Sequence, residues 1–272
     1  MNKLEQENAV NQGFSKIYEH YENLSLTSAI DGTMRQQLYR HINRYITPKS
    51  NILELNSGSG IDAVYFAKKG HSVTATDIAD GAETYIKSKI KHLQLKNLNY
   101  ITSSFTDLKK FEQHNFNYVF SNFGGLNCTN QLPEVATSLN LILKENNLVT
   151  FVIMGKYYPW DWIYVLKGKF KRAFIRFKKN GASANVEGET IKTYYHKPKY
   201  IKQVMSPYFD FVASENLGLC YPSVNHTAIT KHKKLIKTLI VLDSKINASK
   251  LMPIGIGDYY IITFRKKNSH SQ

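Results

Sequence analysis

The feature that most constrains this chain is the run Asn51-Ile-Leu-Glu-Leu-Asn56, which passes directly through Ser57-Gly58-Ser59-Gly60 into a stretch carrying Val64, Phe66 and Ala67. A short apolar run bounded by turn residues reads as a buried strand, and the stretch after it as a helix. Glycines between the two let backbone pass close to a ligand where a side chain would clash, and the first N–H groups of the helix point at the same place. A strand, a tight turn and a helix in that order open a ligand-binding unit of an α/β sheet. Taken alone, the loop is shared by several ligand classes, including the dinucleotide folds.

The rest of the chain continues the alternation. Strands are expected near 51–56, 72–77, 98–102, 116–121 and 147–154, with helices near 60–69, 79–93 and 130–143. Ahead of them, Leu4 to Tyr45 reads as two or three helices, because Phe14, Ile17, Tyr18 and Tyr21, and then Met34, Leu38 and Ile42, recur at helical spacing. The rhythm breaks at Tyr157. A basic amphipathic helix is expected next, with Ile163, Leu166, Phe170, Phe174 and Phe177 on one face, followed by a short hairpin around Val186 to Tyr195. A helix near 197–206, a strand near 208–219, a helix near 230–245 and a last strand at Tyr259 to Arg265 resume the pattern, and the tail from Lys266 reads as disordered.

Two acids narrow the ligand. Glu54 lies in the first strand just before the turn, where a carboxylate would repel a pyrophosphate but suits a ligand bearing an ammonium and a sulfonium. Asp77 ends the next strand, Val73-Thr-Ala-Thr-Asp77, where a carboxylate can accept both ribose hydroxyl protons. Gly58 and Gly60 could be simple turn glycines and Asp77 a helix N-cap, but their joint order and spacing favour a ribose-bearing cation.

At these residues, ILELNSGSG followed by HSVTATDIA resembles motif I and its successor in class I S-adenosylmethionine-dependent methyltransferases. The chain departs from that pattern at Asn56, where the family has its first glycine; Asn is the non-glycine residue most tolerant of a left-handed backbone. Ser121-Asn-Phe-Gly-Gly-Leu-Asn-Cys128 resembles the strand-four block of the same family. The resemblance implies a Rossmann-like seven-stranded α/β sheet with N-terminal lid helices over 1–47, a core over 48–156 and 197–267, and a cap insertion over 157–196. It implies S-adenosyl-L-methionine as cofactor, held by Tyr21, Arg35, Glu54, Asn56, Gly58, Gly60, Asp77, Ile78, Ser104, Phe105, Ser121, Asn122 and Phe123. Ser104 stands where relatives often carry an acid toward the adenine amine, and Arg35 is a candidate fork for the methionine carboxylate, with Tyr18 either a contact or core.

Methyl transfer from a sulfonium is an in-line displacement that needs alignment and exclusion of water rather than a metal. Among His20, His196 and His226, His196 is the favoured general-base candidate, since it follows Tyr194-Tyr195 where acceptor pockets of this family are built. The expected acceptor is the O or N of a small molecule, a secondary metabolite or an amphiphile. An RNA methyltransferase and a non-catalytic scaffold of the same fold are the alternatives, and Glu54 argues against a nicotinamide-dependent oxidoreductase.

The formal net charge of +15 implies an anionic partner. From Trp162 to Val186 there is no acidic residue, while Lys167, Lys169, Lys171, Arg172, Arg176, Lys178 and Lys179 all occur. A lid helix with a solvated basic face, an anionic lipid surface met through 162–179, and a nucleic-acid face are the three readings of this segment. Nucleic acid is disfavoured because Ser-Asn-Phe-Gly stands at strand four where base-amine methylating enzymes carry a Pro-Pro-Tyr type motif. Cys128 and Cys220 show no paired spacing, no apolar run approaches bilayer length, and Glu5 and Glu7 break any signal-peptide pattern, so a cytoplasmic protein is expected.

Overall fold

A computed structural model describes residues 1–224, 226–249 and 252–268. Three helices lead the chain: α1 (Lys3–Ser15), α2 (Tyr18–Thr27) and α3 (Ala29–Ile42). The alternating region follows as β1 (Asn51–Leu55), α4 (Ile61–Lys68), β2 (Ser72–Asp77), α5 (Asp80–Leu93), β3 (Leu98–Thr102), β4 (Tyr118–Ser121), α6 (Leu132–Ile142) and β5 (Leu148–Met154). Two short helices, α7 (Ile163–Leu166) and α8 (Phe170–Ala173), precede the hairpin of β6 (Ala182–Val186) and β7 (Glu189–Thr193). The chain then forms α9 (Pro198–Met205), β8 (Phe209–Leu217), α10 (Thr227–Thr230), α11 (Lys233–Ser249) and β9 (Tyr259–Lys266).

Seven strands make one sheet in the order β3-β2-β1-β4-β5-β9-β8, and β6 and β7 pair separately. β1 to β5 are parallel, and β9 runs antiparallel between β5 and β8. Parallel strands are covered on both faces, which is why β1 is an almost unbroken apolar run. Its alternate residues feed two cores: Ile52 packs with Phe66, Val73, Phe120 and helices α3 to α5, whereas Leu53 and Leu55 pack with Val119, Phe151 and α6 and α9. The strand order reverses between β1 and β4, opening a crevice at their carboxyl ends, the position where open α/β sheets bind ligands. Among the described residues no helix is long and apolar enough to cross a membrane.

Three expectations need correction. The basic amphipathic helix is broken: Gly168 adopts a left-handed φ of 67°, Lys169 N–H bonds to Tyr164 O at 2.7 Å and Gly168 N–H to Val165 O at 2.9 Å, which closes α7 before α8 begins. The hairpin starts at Ala182 rather than near Val186, with Glu187-Gly188 at its tip. The tail does not begin at Lys266, whose N–H bonds to Asn147 O while Lys267 N–H bonds to Tyr208 O; the expected disorder past residue 268 lies outside the described residues.

Candidate active site

After Leu55 the backbone turns through Asn56 at φ 48°, Gly58 at 55° and Gly60 at 76° before entering α4. The turn is stitched to the tip of β2: Ser57 N–H bonds to Thr76 O at 2.9 Å, and Asp77 accepts Gly58 N–H on Oδ2 at 2.8 Å and Ala79 N–H on Oδ1 at 3.0 Å. Asn56 therefore keeps the left-handed turn that a glycine would make, and its side chain adds a tie. Its Nδ2 donates to Asn122 O at 3.0 Å and its Oδ1 accepts from Ser121 Oγ at 2.5 Å, joining the ends of β1 and β4. The room for that carboxamide comes from Gly125, where a Cβ would stand 2.1 Å from Asn56 Cγ.

This close approach makes a prediction. Gly125→Ala should destabilise the fold by about 2 kcal/mol through overpacking, and adding Asn56→Gly should recover at least ~1 kcal/mol of that loss. Denaturant unfolding of the single and double variants would measure it; additive losses would refute the coupling.

Carboxylates dominate the inner end of the crevice. Glu54 is buried, and burial, then the neighbouring charge of Asp62, push its carboxyl well above the usual range, with Asp77 adding to the rise and Arg35 opposing it. Burial also raises Asp77 despite its backbone hydrogen bonds. Asp62, in the first turn of α4, is a hub: it accepts from Tyr39 OH at 2.5 Å and from Asn122 Nδ2 at 2.6 Å. Arg35 Nη1 lies 2.5 Å from Asp62 Oδ2 but off the hydrogen-bond direction, while Arg35 Nε donates to Asp31 Oδ2 at 2.8 Å. The guanidinium also sits over the Phe123 ring, 4.6 Å from its centroid, with Phe123 held at a φ of 40°. Four acids, Glu54, Asp77, Asp62 and Asp31, thus crowd around one arginine, and a cationic ligand would relieve the crowding that raises Glu54.

These groups bound a cavity of about 480 Å³, a size typical of small-molecule sites. Two buried polar atoms on its wall, Glu54 Oε2 and Ser57 Oγ, have no partner. An unpaired buried acceptor is costly, so the wall is built for a ligand that donates to it. S-adenosylmethionine fits that requirement. Glu54 would face its positive charge, Asp77 has lone pairs left for ribose hydroxyls, and Ile78, Ser104 and Phe105 line the wall beyond.

The roof is α1. Gln6 Nε2 donates to Cys128 O at 2.8 Å and Lys192 O at 2.9 Å, and Gln6 Oε1 accepts Lys192 N–H at 3.1 Å. Glu7 accepts from Ser104 Oγ at 2.8 Å, and Asn11 exchanges bonds with Asp80 at 2.9 and 3.1 Å. Polar side chains rather than apolar burial fasten this helix, of which only Gln6 and Gly13 are buried. The cavity is also lined by Phe14, Tyr21, Met154, Tyr194, Tyr195 and Tyr259.

Of the predicted cofactor residues, Tyr21, Arg35, Glu54, Asn56, Gly58, Asp77, Ile78, Ser104, Phe105, Asn122 and Phe123 line this one cavity. Gly60 and Ser121 stand behind it. A Cβ on Gly60 would come within 2.7 Å of Ile86, and Ser121 acts through Asn56. Sequence reasoning missed Asp62, Gln6 and Glu7. Asp62 has the signature of an ordinary first-turn helix acid, and its role depends on partners from α3 and β4.

His196, the favoured general-base candidate, stands apart from this cavity. It does not line the cavity: its ring stacks on Tyr200 with centroids 5.4 Å apart, and its buried Nε2 has no partner. His226 likewise stacks on Tyr164, and His20 is exposed. Burial, then the charge of Lys156, push the His196 imidazole down to about 4 from 6.5, so it is neutral in the fold. A histidine with a depressed folded pKa contributes stability that is present above 6.5 and is lost as pH falls toward 4, here up to roughly 3 kcal/mol. His196→Gln should flatten the dependence of stability on pH in that window; an unchanged slope would exclude this origin.

Residues 52–146, from β1 to the turn before β5, match the family model described as a methyltransferase domain. The 1,6-didemethyltoxoflavin-N1-methyltransferase of Burkholderia thailandensis, solved with 1,6-didemethyltoxoflavin and S-adenosylhomocysteine, superposes with a TM-score of 0.60 at 14% identity, over 98% of this chain and 92% of that one. A TehB-like S-adenosylmethionine-dependent methyltransferase from Corynebacterium glutamicum gives 0.56 at 13% identity, over 94% and 100%. A structure concerned with conversion of a disulfide bond into a thioacetal group during echinomycin biosynthesis gives 0.51 at 13%, over 86% and 82%. Identities this low speak to the fold. No curated protein sequence matches the chain. The family match falls on the strands, the turn and the acid-lined crevice described above, so residues 52–146 form a methyltransferase domain.

Proposed function

We propose that the enzyme methylates the O or N of a small-molecule acceptor inside the cavity. The observation that carries this reading is the roof: α1 is clamped across the cavity by Gln6, Glu7 and Asn11, leaving a partly covered chamber lined by aromatic residues beside the cofactor wall. A roofed chamber with a restricted mouth suits a compact acceptor better than a base within a polymer. The Burkholderia neighbour, solved with bound 1,6-didemethyltoxoflavin, supports the same reading.

When bound, S-adenosylmethionine supplies an electrophilic methyl on a sulfonium. The chain's own contribution is to orient the acceptor and keep water out. Among the described lining residues there is no histidine, and Asp31 and Asp258 are committed to Arg35 and Arg176. Burial raises the Tyr21, Tyr195 and Tyr259 hydroxyls and pushes the Cys128 thiol up to about 12, so they offer hydrogen bonds rather than bases at neutral pH. The acceptor this wall suits is one whose lone pair needs no enzyme base, such as a ring nitrogen or a phenol acidic enough to enter as its phenolate. Incubating the enzyme with methyl-labelled S-adenosylmethionine and an extract of the source cells tests this. Label should pass an ultrafiltration membrane that retains protein and RNA, and label held with RNA or protein would reject the proposal.

A further inference from the structure

We infer that the face formed by residues 162–179 docks on an anionic lipid surface. Five large apolar side chains stand out into solvent there: Trp162 is 60% exposed, Leu166 87%, Phe170 58%, Phe174 45% and Phe177 43%. They are not scattered. The rings of Trp162 and Phe174 lie 5.9 Å apart, Phe174 and Phe177 6.2 Å, and Phe177 meets the half-exposed Tyr157 at 5.6 Å. Beside them Pro159, Trp160, Trp162, Ile163, Val165 and Leu166 form an open apolar groove. A contiguous apolar patch of this kind marks an interaction surface.

Its border decides the partner. Lys167, Lys169, Lys171, Arg172, Lys178 and Lys179 are all exposed and interleaved with these side chains along the chain, and no acidic residue occurs between Trp162 and Val186. The nearby Asp161 is half-buried and paired with Arg176, 2.8 Å away, a cation it shares with Asp258. Exposed apolar groups interleaved with lysines match the two layers of an anionic membrane surface, in which headgroups meet the cations and acyl chains receive the apolar tips. The break at Gly168 splits the surface into short pieces without removing it. A nucleic acid would satisfy the lysines but leave Leu166 in water, and the rings that would stack on bases instead pack against one another. A second copy of the same face would bring like charges together.

The patch is fixed to the catalytic body. Arg176, the one buried cation of this segment among the described residues, donates to Gly155 O at 3.1 Å and Asp258 O at 3.0 Å and pairs with Asp258 Oδ1 at 2.5 Å. Asp258 lines the cavity, so docking would place the catalytic body at the membrane with a defined orientation. The inference is independent of which acceptor is methylated.

Flotation of the full chain with vesicles of phosphatidylcholine, alone or mixed with phosphatidylglycerol, tests it. The protein should float with the mixed vesicles, bind pure phosphatidylcholine about tenfold more weakly, and detach as salt rises. Leu166→Ser with Phe170→Ser should weaken the mixed-vesicle binding about tenfold while S-adenosylmethionine binding and thermal unfolding stay as in the parent chain. Tryptophan emission should shift to the blue on vesicle addition. Failure to float, binding indifferent to the double substitution, or tighter binding to generic RNA than to the mixed vesicles would overturn the inference.

Discussion

Asp77→Asn is expected to weaken binding of both S-adenosylmethionine and S-adenosylhomocysteine by about 3 kcal/mol, or ~100-fold. Two losses combine. The carboxylate oxygens each accept one backbone N–H, from Gly58 and from Ala79, so an amide group must set its own donor against one of them and disturb the turn. The hydrogen bonds left for the ribose hydroxyls also lose their charge. Isothermal titration calorimetry with both ligands measures the change, and a nicotinamide dinucleotide serves as the control that should not bind. Unchanged affinity for the methionine ligands would remove Asp77 from the cofactor site.

Asp62→Ala is expected to be the most damaging single change to the fold, by about 3 kcal/mol and a fall in Tm near 10 °C. It strips acceptors from Tyr39 OH and Asn122 Nδ2 and leaves Arg35 buried with only Asp31 as a charged partner. Asp31 keeps one arm of the guanidinium paired, which holds the cost toward the lower end for a broken buried pair. Truncating Arg35 as well should cost less than the two single changes added, because no uncompensated charge remains. Thermal unfolding of the three variants checks this. A Tm within about 2 °C of the parent for Asp62→Ala would show that the hub carries little of the stability.

The two predictions rest on residues of different legibility. Asp77 stood out because its meaning is local: an acid ending the strand after the turn can be read from spacing alone. Asp62 did not, because α4 would carry an acid in its first turn for the helix dipole in any case. What makes it a hub is that α3 brings Arg35 and Tyr39 to it, and β4 brings Asn122, from positions far away in sequence. The reading of Asn56 lay between these cases. Its tolerance of a left-handed backbone follows from its chemistry, but its tie to β4 and the space conceded by Gly125 follow only from strand order.

The segment after Tyr157 shows the opposite weakness. Helical spacing from Ile163 to Phe177 grouped the apolar residues on one side, yet Gly168 closes the helix and turns most of them outward. Arg176 reads as one more surface cation, although Asp161 and Asp258 draw it into the interior. Gln6 and Glu7, which carry no signal in the sequence, fasten the lid.

By itself, then, the sequence determined the alternation of strands and helices, the left-handed turn from Asn56 to Gly60 and the acids beside it, because all of these are set by residue type over a few neighbouring positions. Packing between distant segments set Asp62 beside Arg35, α1 across the cavity and His196 outside its lining, and left the large apolar side chains of 162–179 exposed. Those outcomes depend on which distant side chains the strand order and the packing bring within reach of one another.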